Sequence, residues 1–157
     1  MKILATFDGS PFSEVILPHL VAMAGIDGVE FILLSVVTGG AEEAAQHPQQ
    51  DLREAVERYL RELACRLPVG PRYAIVACTG DDSASTIIDR ALRERADVIV
   101  MATHGRTGTL EDIFGGVAEQ VVRSHVAPVL LVHPDSLRSE WRCVMAPGTT
   151  RRSGVSF

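Results

Sequence analysis

The stretch Asp97–His133, DVIVMATHGRTGTLEDIFGGVAEQVVRSHVAPVLLVH, decides the fold. Val98-Ile99-Val100-Met101 and Val129-Leu130-Leu131-Val132 are short continuous apolar runs, the pattern of strands covered on both faces. Between them Gly105, Gly108, Gly115 and Gly116 punctuate a loop, and Val117 to Val126 follows with helical spacing. A strand ending in a glycine loop that opens a helix suits phosphate. The N–H groups of a first helical turn lack intrahelical partners, and the helix dipole there favours an anion. The loop has neither the lysine of a P-loop nor G-x-G-x-x-G spacing. On the glycines alone, a surface loop with glycines at its turns fits as well as a phosphate cradle.

The chain upstream alternates strand and helix. Lys2 to Phe7, Val29 to Val37 and Tyr73 to Cys78 read as strands. After the first, Asp8-Gly9-Ser10-Pro11 is a turn, with Ser10 suited to cap a helix and Pro11 to begin it. Pro18 inside that helix is expected to kink it or to cost a hydrogen bond. Thr38 to Gln50 reads as a loop, followed by a helical stripe of Leu52, Val56, Tyr59, Leu60, Leu63 and Leu67. Asp81 or Asp82 is expected to cap a third helix with Ile87, Ile88, Ala91 and Leu92 on its inner face. The order βαβαβαβαβ implies an α/β fold, a parallel sheet with right-handed crossovers and helices on both faces. Ligands of such sheets bind at the carboxyl ends of the strands, where strand order reverses. Asp8, Val37 and the 102–116 loop all follow strand ends and are candidates to share one crevice.

The 157 residues suit one domain, residues 1–133, followed by a tail at 134–157 that lacks sustained periodicity. The tail is expected to fray or to dock on a sheet edge or a partner subunit. Its segment WRCVMAPGT loosely echoes KILATFDGS near the N-terminus, without the acidic residue. A net charge of −5 argues against nucleic acid or an anionic membrane as the main partner. The apolar runs are too short to span a bilayer, and the chain opens directly on a strand, so no signal peptide is expected. Cys65, Cys78 and Cys143 have neither disulfide nor metal spacing; Cys65 and Cys78 read as small core fillers, and the expected compartment is cytoplasmic.

Four segments together carry a specific resemblance: the DGS turn at Asp8 to Ser10, MATHGRTG at Met101 to Gly108, GGVAEQVV at Gly115 to Val122, and PVLLVH at Pro128 to His133. In order and spacing the chain resembles the universal stress proteins of the UspA family along almost its whole length up to about His133. The resemblance implies an open, Rossmann-like five-stranded parallel sheet of order 3-2-1-4-5, similar to the adenine nucleotide alpha hydrolases, and a homodimer commonly paired through the last strand. The nucleotide-binding branch of that family carries ATP on a G-x2-G-x9-G-[ST] loop. Here those positions read Ala102-x2-Gly105-x9-Gly115-Gly116. Ala102 replaces the first glycine, at little cost if its φ is negative. Gly116 keeps the backbone N–H but removes a hydroxyl, a bond worth about 1.5–3 kcal/mol when charge-assisted.

Carried over residue by residue, the resemblance places Asp8 on the ribose hydroxyls with Thr6 beside it, and Val37 on the adenine. Met101 and Ala102 would flank the base or ribose. His104 and Gly105 would approach the phosphates, with Arg106 as a nearby cation. Gly115, Gly116, Val117 and Ala118 would offer N–H groups at the helix start. Glu111 and Asp112 repel phosphate unless Mg²⁺ or Mn²⁺ intervenes, and otherwise form a solvated loop face. No G-x-S-x-G elbow is present, and His19, His47, His104, His125 and His133 are scattered. The expectation is a stress protein binding ATP as a regulatory ligand. The alternatives are a nucleotide-free dimeric interaction protein of the same fold and, ranked last, a slow ATP hydrolase.

Overall fold

The computed structural model describes residues 1–38, 49–103 and 116–133. The five strands are β1 (Lys2–Phe7), β2 (Glu30–Val37), β3 (Arg72–Thr79), β4 (Val98–Ala102) and β5 (Val129–Val132). All neighbours run parallel, in the order β3-β2-β1-β4-β5. The helices are α1 (Leu17–Met23), α2 (Gln49–Cys65), α3 (Ser83–Glu94) and α4 (Gly116–Arg123), with a 3-10 turn at Ser13–Ile16 ahead of α1. The expected order 3-2-1-4-5 is therefore the observed one.

Strand alternation divides the core in two. Ile3, Ala5 and Phe7 of β1, with Phe31 and Leu33 of β2, pack with Ile16, Leu17 and Leu20 and with Leu60 and Leu63 of α2. The opposite face, Leu4, Ile32, Leu34, Ile99 and Met101, packs with Ala84, Ile87 and Ala91 of α3 and with Ala118 and Val121 of α4. Each fully buried Leu, Ile or Phe contributes about 1.5–3 kcal/mol. Both faces of β1, β2 and β4 are covered, which is why those strands read as continuous apolar runs and not as alternating ones.

The amino end of the sheet is tied by polar bonds. Lys2 N–H donates to Asp97 Oδ2 at 2.7 Å, and Asp97 N–H returns to the Lys2 carbonyl at 2.8 Å. This pair sets β4 beside β1 at one end. At the other end the chain leaves β1 toward the α1–α2 face and leaves β4 toward the α4 face, so a crevice opens between their carboxyl ends.

Several local expectations are corrected. Ser10 and Pro11 do not start a helix: Phe12 precedes the 3-10 turn and α1 begins at Leu17. Pro18 then falls in the first turn of α1, where its missing N–H has no intrahelical partner to lose, so it does not interrupt a helix interior. In α2 the packed stripe begins at Val56; Leu52 is exposed. Cys65 is exposed, because Leu63 and Leu67 face inward and a residue midway between them lies on the opposite side. On α3 the inner row is Ala84, Ile87 and Ala91; Leu92, 59% exposed, lies off it. α4 ends at Arg123, short of Val126. Of the two aspartates, Asp82 caps α3 by accepting from Ser85 N–H at 2.7 Å. No helix among the described residues is long and apolar enough to cross a membrane. The 134–157 tail, and all but the ends of the Thr38–Gln50 loop, lie outside the described residues.

Candidate functional site

The crevice holds a cavity of about 400 Å³, within the range of small-molecule pockets. It continues the α3–α4 face of the sheet. On β1 that face runs Leu4, Thr6; on β2, Ile32, Leu34, Val36; on β4, Ile99, Met101 and, just beyond it, Thr103. Apolar packing fills the first layers, and the cavity lies where it stops. Leu34, Val36, Met101 and Ile87 of α3 form an apolar wall. Thr6, Ser13, Ser83 and Thr103 put hydroxyl-bearing residues around it. Asp8 is the sole charged residue lining it among the described residues.

The Asp8 turn is built from local bonds. Gly9 has φ +80°, a conformation that favours glycine. Asp8 Oδ1 accepts from Ser10 N–H at 2.9 Å and from Ser10 O–H at 2.6 Å. Ser13, buried, donates its hydroxyl to the Ser10 carbonyl at 2.8 Å and accepts from Asp8 N–H at 3.3 Å. The carboxylate is thus oriented by its own turn at the edge of the cavity.

Two helices begin at the cavity. α3 contributes Ser83, immediately after its cap Asp82. The Ser85 hydrogen bonds hold the Asp82 carboxyl below its ordinary value. α4 contributes Gly116, Val117 and Ala118, the first two exposed and the third buried. No described side chain stands within 4 Å of a Cβ placed on Gly116.

Of the residues read from the sequence, Thr6, Asp8, Met101, Ala102, Gly116, Val117 and Ala118 line this one cavity. Val37 does not. It follows Val36 by one residue, and successive side chains on a strand point to opposite faces, so the cavity takes Val36. The Val37 carbonyl instead accepts from Gly80 N–H at 3.2 Å. Ala102 is not among the described residues with positive φ, so its methyl replaces a glycine hydrogen without backbone strain. His104, Gly105 and Gly115, with Arg106, Glu111 and Asp112, lie outside the described residues. The residues that sequence reading missed are Phe7, Ser13, Leu34, Val36, Ser83, Ile87 and Thr103. Period-two alternation from Met101 signals Thr103; Leu34 and Val36 follow only from the register that sets Thr6 beside Leu34, and Ser13 and Ser83 carry no such signal.

Comparisons with known proteins agree with this architecture. A sequence model described as the Universal stress protein family matches residues 1–133. The universal stress protein MJ0577 of Methanocaldococcus jannaschii is 26% identical over 152 residues, covering 83% of this chain and 93% of that protein. A universal stress protein of Mycolicibacterium smegmatis is 30% identical over 85% of this chain, and the match spans 46% of that longer protein. MJ0531, from the same archaeon as MJ0577, is 43% identical over 49 residues, only 29% of its length. The solved structure of MJ0577 superposes with a TM-score of 0.71 at 29% identity, covering 84% of this chain and 94% of that one. The same fold is found in a universal stress protein in complex with cAMP, with a TM-score of 0.64 at 19% identity over 85% and 96% of the two chains. It is found again in an Arabidopsis thaliana family protein with AMP bound, with a TM-score of 0.60 at 15% identity over 90% and 98%. With the family model covering every strand of the sheet, the chain belongs to the universal stress protein family.

Proposed function

We propose that this protein binds an adenine nucleotide in the cavity between β1 and β4, as a regulatory ligand in a stress response. The carrying observation is that one cavity joins the Asp8 turn to the start of α4 across an apolar wall. Those three surfaces match the three parts of a nucleotide. Leu34, Val36, Ile87 and Met101 suit the flat apolar faces of a base. A carboxylate accepts two ribose hydroxyls. The N–H groups at the start of α4 suit phosphate oxygens. Nucleotides in two structures of this fold, cAMP in one and AMP in the other, support the same reading.

ATP is the nucleotide we favour for the full site, with the 104–115 segment supplying further phosphate contacts. Mg²⁺ or Mn²⁺ would enter with the triphosphate. Asp8 is the one carboxylate in the described lining, and no group of three His, Cys, Asp or Glu among the described residues could hold an ion by itself. We read the ligand as an effector and not as a substrate, because the described lining pairs no base with a nucleophile. A ligand at a hundred times its Kd stabilises the folded state by about 2.7 kcal/mol, so nucleotide level would set the stability of one conformation or of a dimer paired through β5.

The test is native mass spectrometry of the purified protein for co-purified nucleotide, followed by calorimetric titration with AMP and with ATP plus Mg²⁺. Binding at micromolar to millimolar concentration is expected, with Asp8→Ala weakening it roughly tenfold to a hundredfold through loss of charge-assisted hydrogen bonds. Absence of binding at millimolar nucleotide would overturn the proposal and leave a nucleotide-free interaction protein. Phosphate release that persists in Asp8→Ala would place any hydrolysis outside this cavity.

A further inference from the structure

We infer that Tyr59 and Glu14 are positioning residues for the nucleotide site, acting through Ser13 on the Asp8 turn; this rests on the nucleotide reading above. The Asp8 carboxylate is exposed, and its turn is held from behind by Ser13. Ser13 and Glu14 are the first two residues of the 3-10 turn. Glu14 meets α2, an element that contributes no side chain to the described cavity lining. The Tyr59 hydroxyl donates to Glu14 Oε1 at 3.4 Å, and Glu14 adjoins Ser13 in the 3-10 turn. Arg66, just past the end of α2, donates to Glu14 Oε2 at 2.5 Å. Arg66 and Tyr59 thus converge on Glu14, and the 3-10 turn carries the connection to Ser13 and the Asp8 turn.

Packing alone does not account for the tyrosine. Position 59 belongs to the inward stripe of α2, where Leu60 and Leu63 are fully buried hydrocarbons. A phenyl ring would fill the same space. The hydroxyl adds a polar tip aimed at the turn that carries Asp8. Burial, together with the negative charges of Glu14 and Asp8, raises the phenol above its ordinary value. The Arg66–Glu14 pair is partly exposed and contributes little stability as an ion pair. Its effect is geometric: with one oxygen held by Arg66, the other is fixed for Tyr59. With Glu14 held, the 3-10 turn and Ser13 are held, and an Asp8 carboxylate pre-set in this way loses less freedom when it takes the ribose.

The experiment is calorimetric titration of the full chain with AMP, with melting curves for every variant. Tyr59→Phe keeps the ring and should raise the AMP Kd about threefold to tenfold. Ser13→Ala should weaken binding at least as much, and the double variant should be no weaker than Ser13→Ala alone, because both act along one path. Glu14→Gln, which keeps an acceptor but loses the Arg66 charge pair, should give a smaller loss; it also tests the idea should Tyr59→Phe fail to fold. Arg61→Ala, on the exposed face of α2 and paired with Glu57, should bind like wild type. If wild type binds AMP and Tyr59→Phe binds equally well, or if the double variant shows additive losses, positioning through Ser13 is overturned and the nucleotide reading stands. If wild type binds neither AMP nor ATP, both fall together.

Discussion

Two helices start at the same cavity and treat their first turns differently. α3 is closed by its own chain: Asp82 accepts from Ser85 N–H, so the carboxylate that a helix N-terminus attracts is already supplied. α4 opens on Gly116, which has no side chain to cap with, and open space lies among the described residues where a Cβ would stand. One terminus is therefore satisfied by its own cap, and the other is the one we propose for the phosphates. Helix starts are interchangeable as dipoles; the residues at the first turn decide whether a ligand is needed.

Giving α4 a carboxylate should break this contrast most sharply. Gly116→Asp is expected to raise the melting temperature slightly, as acidic residues do in a first turn, while weakening nucleotide binding roughly tenfold to a hundredfold by repelling phosphate. Calorimetry and a melting curve read the two opposed effects in one sample. Gly116→Ser is the counterpart: the added hydroxyl, uncharged and donating, should tighten ATP binding about threefold to tenfold. Equal weakening by both substitutions would mean that the space at Gly116 matters and the charge does not.

On the other helix, Asp82→Ala should lower the melting temperature by roughly a few degrees with little effect on nucleotide affinity. The Asp82 carboxyl is held below its ordinary value in the folded state. Its contribution is thus present above the unfolded carboxylate pKa of about 3.9 and disappears as pH falls through the lower folded value. The difference in melting temperature between wild type and Asp82→Ala should shrink on acidification below about pH 4. The smallest effect is expected at Ala102→Gly: because Ala102 does not sit at positive φ, restoring the glycine relieves no strain, and affinity should stay within about twofold.

The inner strands were legible because burial on both faces leaves runs such as Val98–Met101 that need no partner to be recognised, while the edge run Val129–Val132 is only half-buried. The sheet order came from resemblance, since neighbours across a crossover leave no local trace in the chain. Within the site, Asp8 and the Gly116–Ala118 helix start were legible as strand-end and helix-start features. Val36 was misplaced by one residue, which on a strand is the difference between two faces of a sheet. Ser13 was not legible at all: its importance lies in bonds to Asp8 and Ser10 that exist only once Ser10 is a turn residue and not a helix cap. Leu92 and Cys65 show the complementary error: each sits beside an inward row of its helix and not on it.

The order β3-β2-β1-β4-β5 also has a consequence in time. As a chain is synthesised, β1, β2 and β3 can pair in succession, leaving one edge of β1 bare until residues 98–102 emerge and dock against it. The seam between β1 and β4, which joins strands far apart in the chain, is the one that carries the cavity. A molecule bridging Asp8 and the start of α4 would clasp the early half of the protein to the late half.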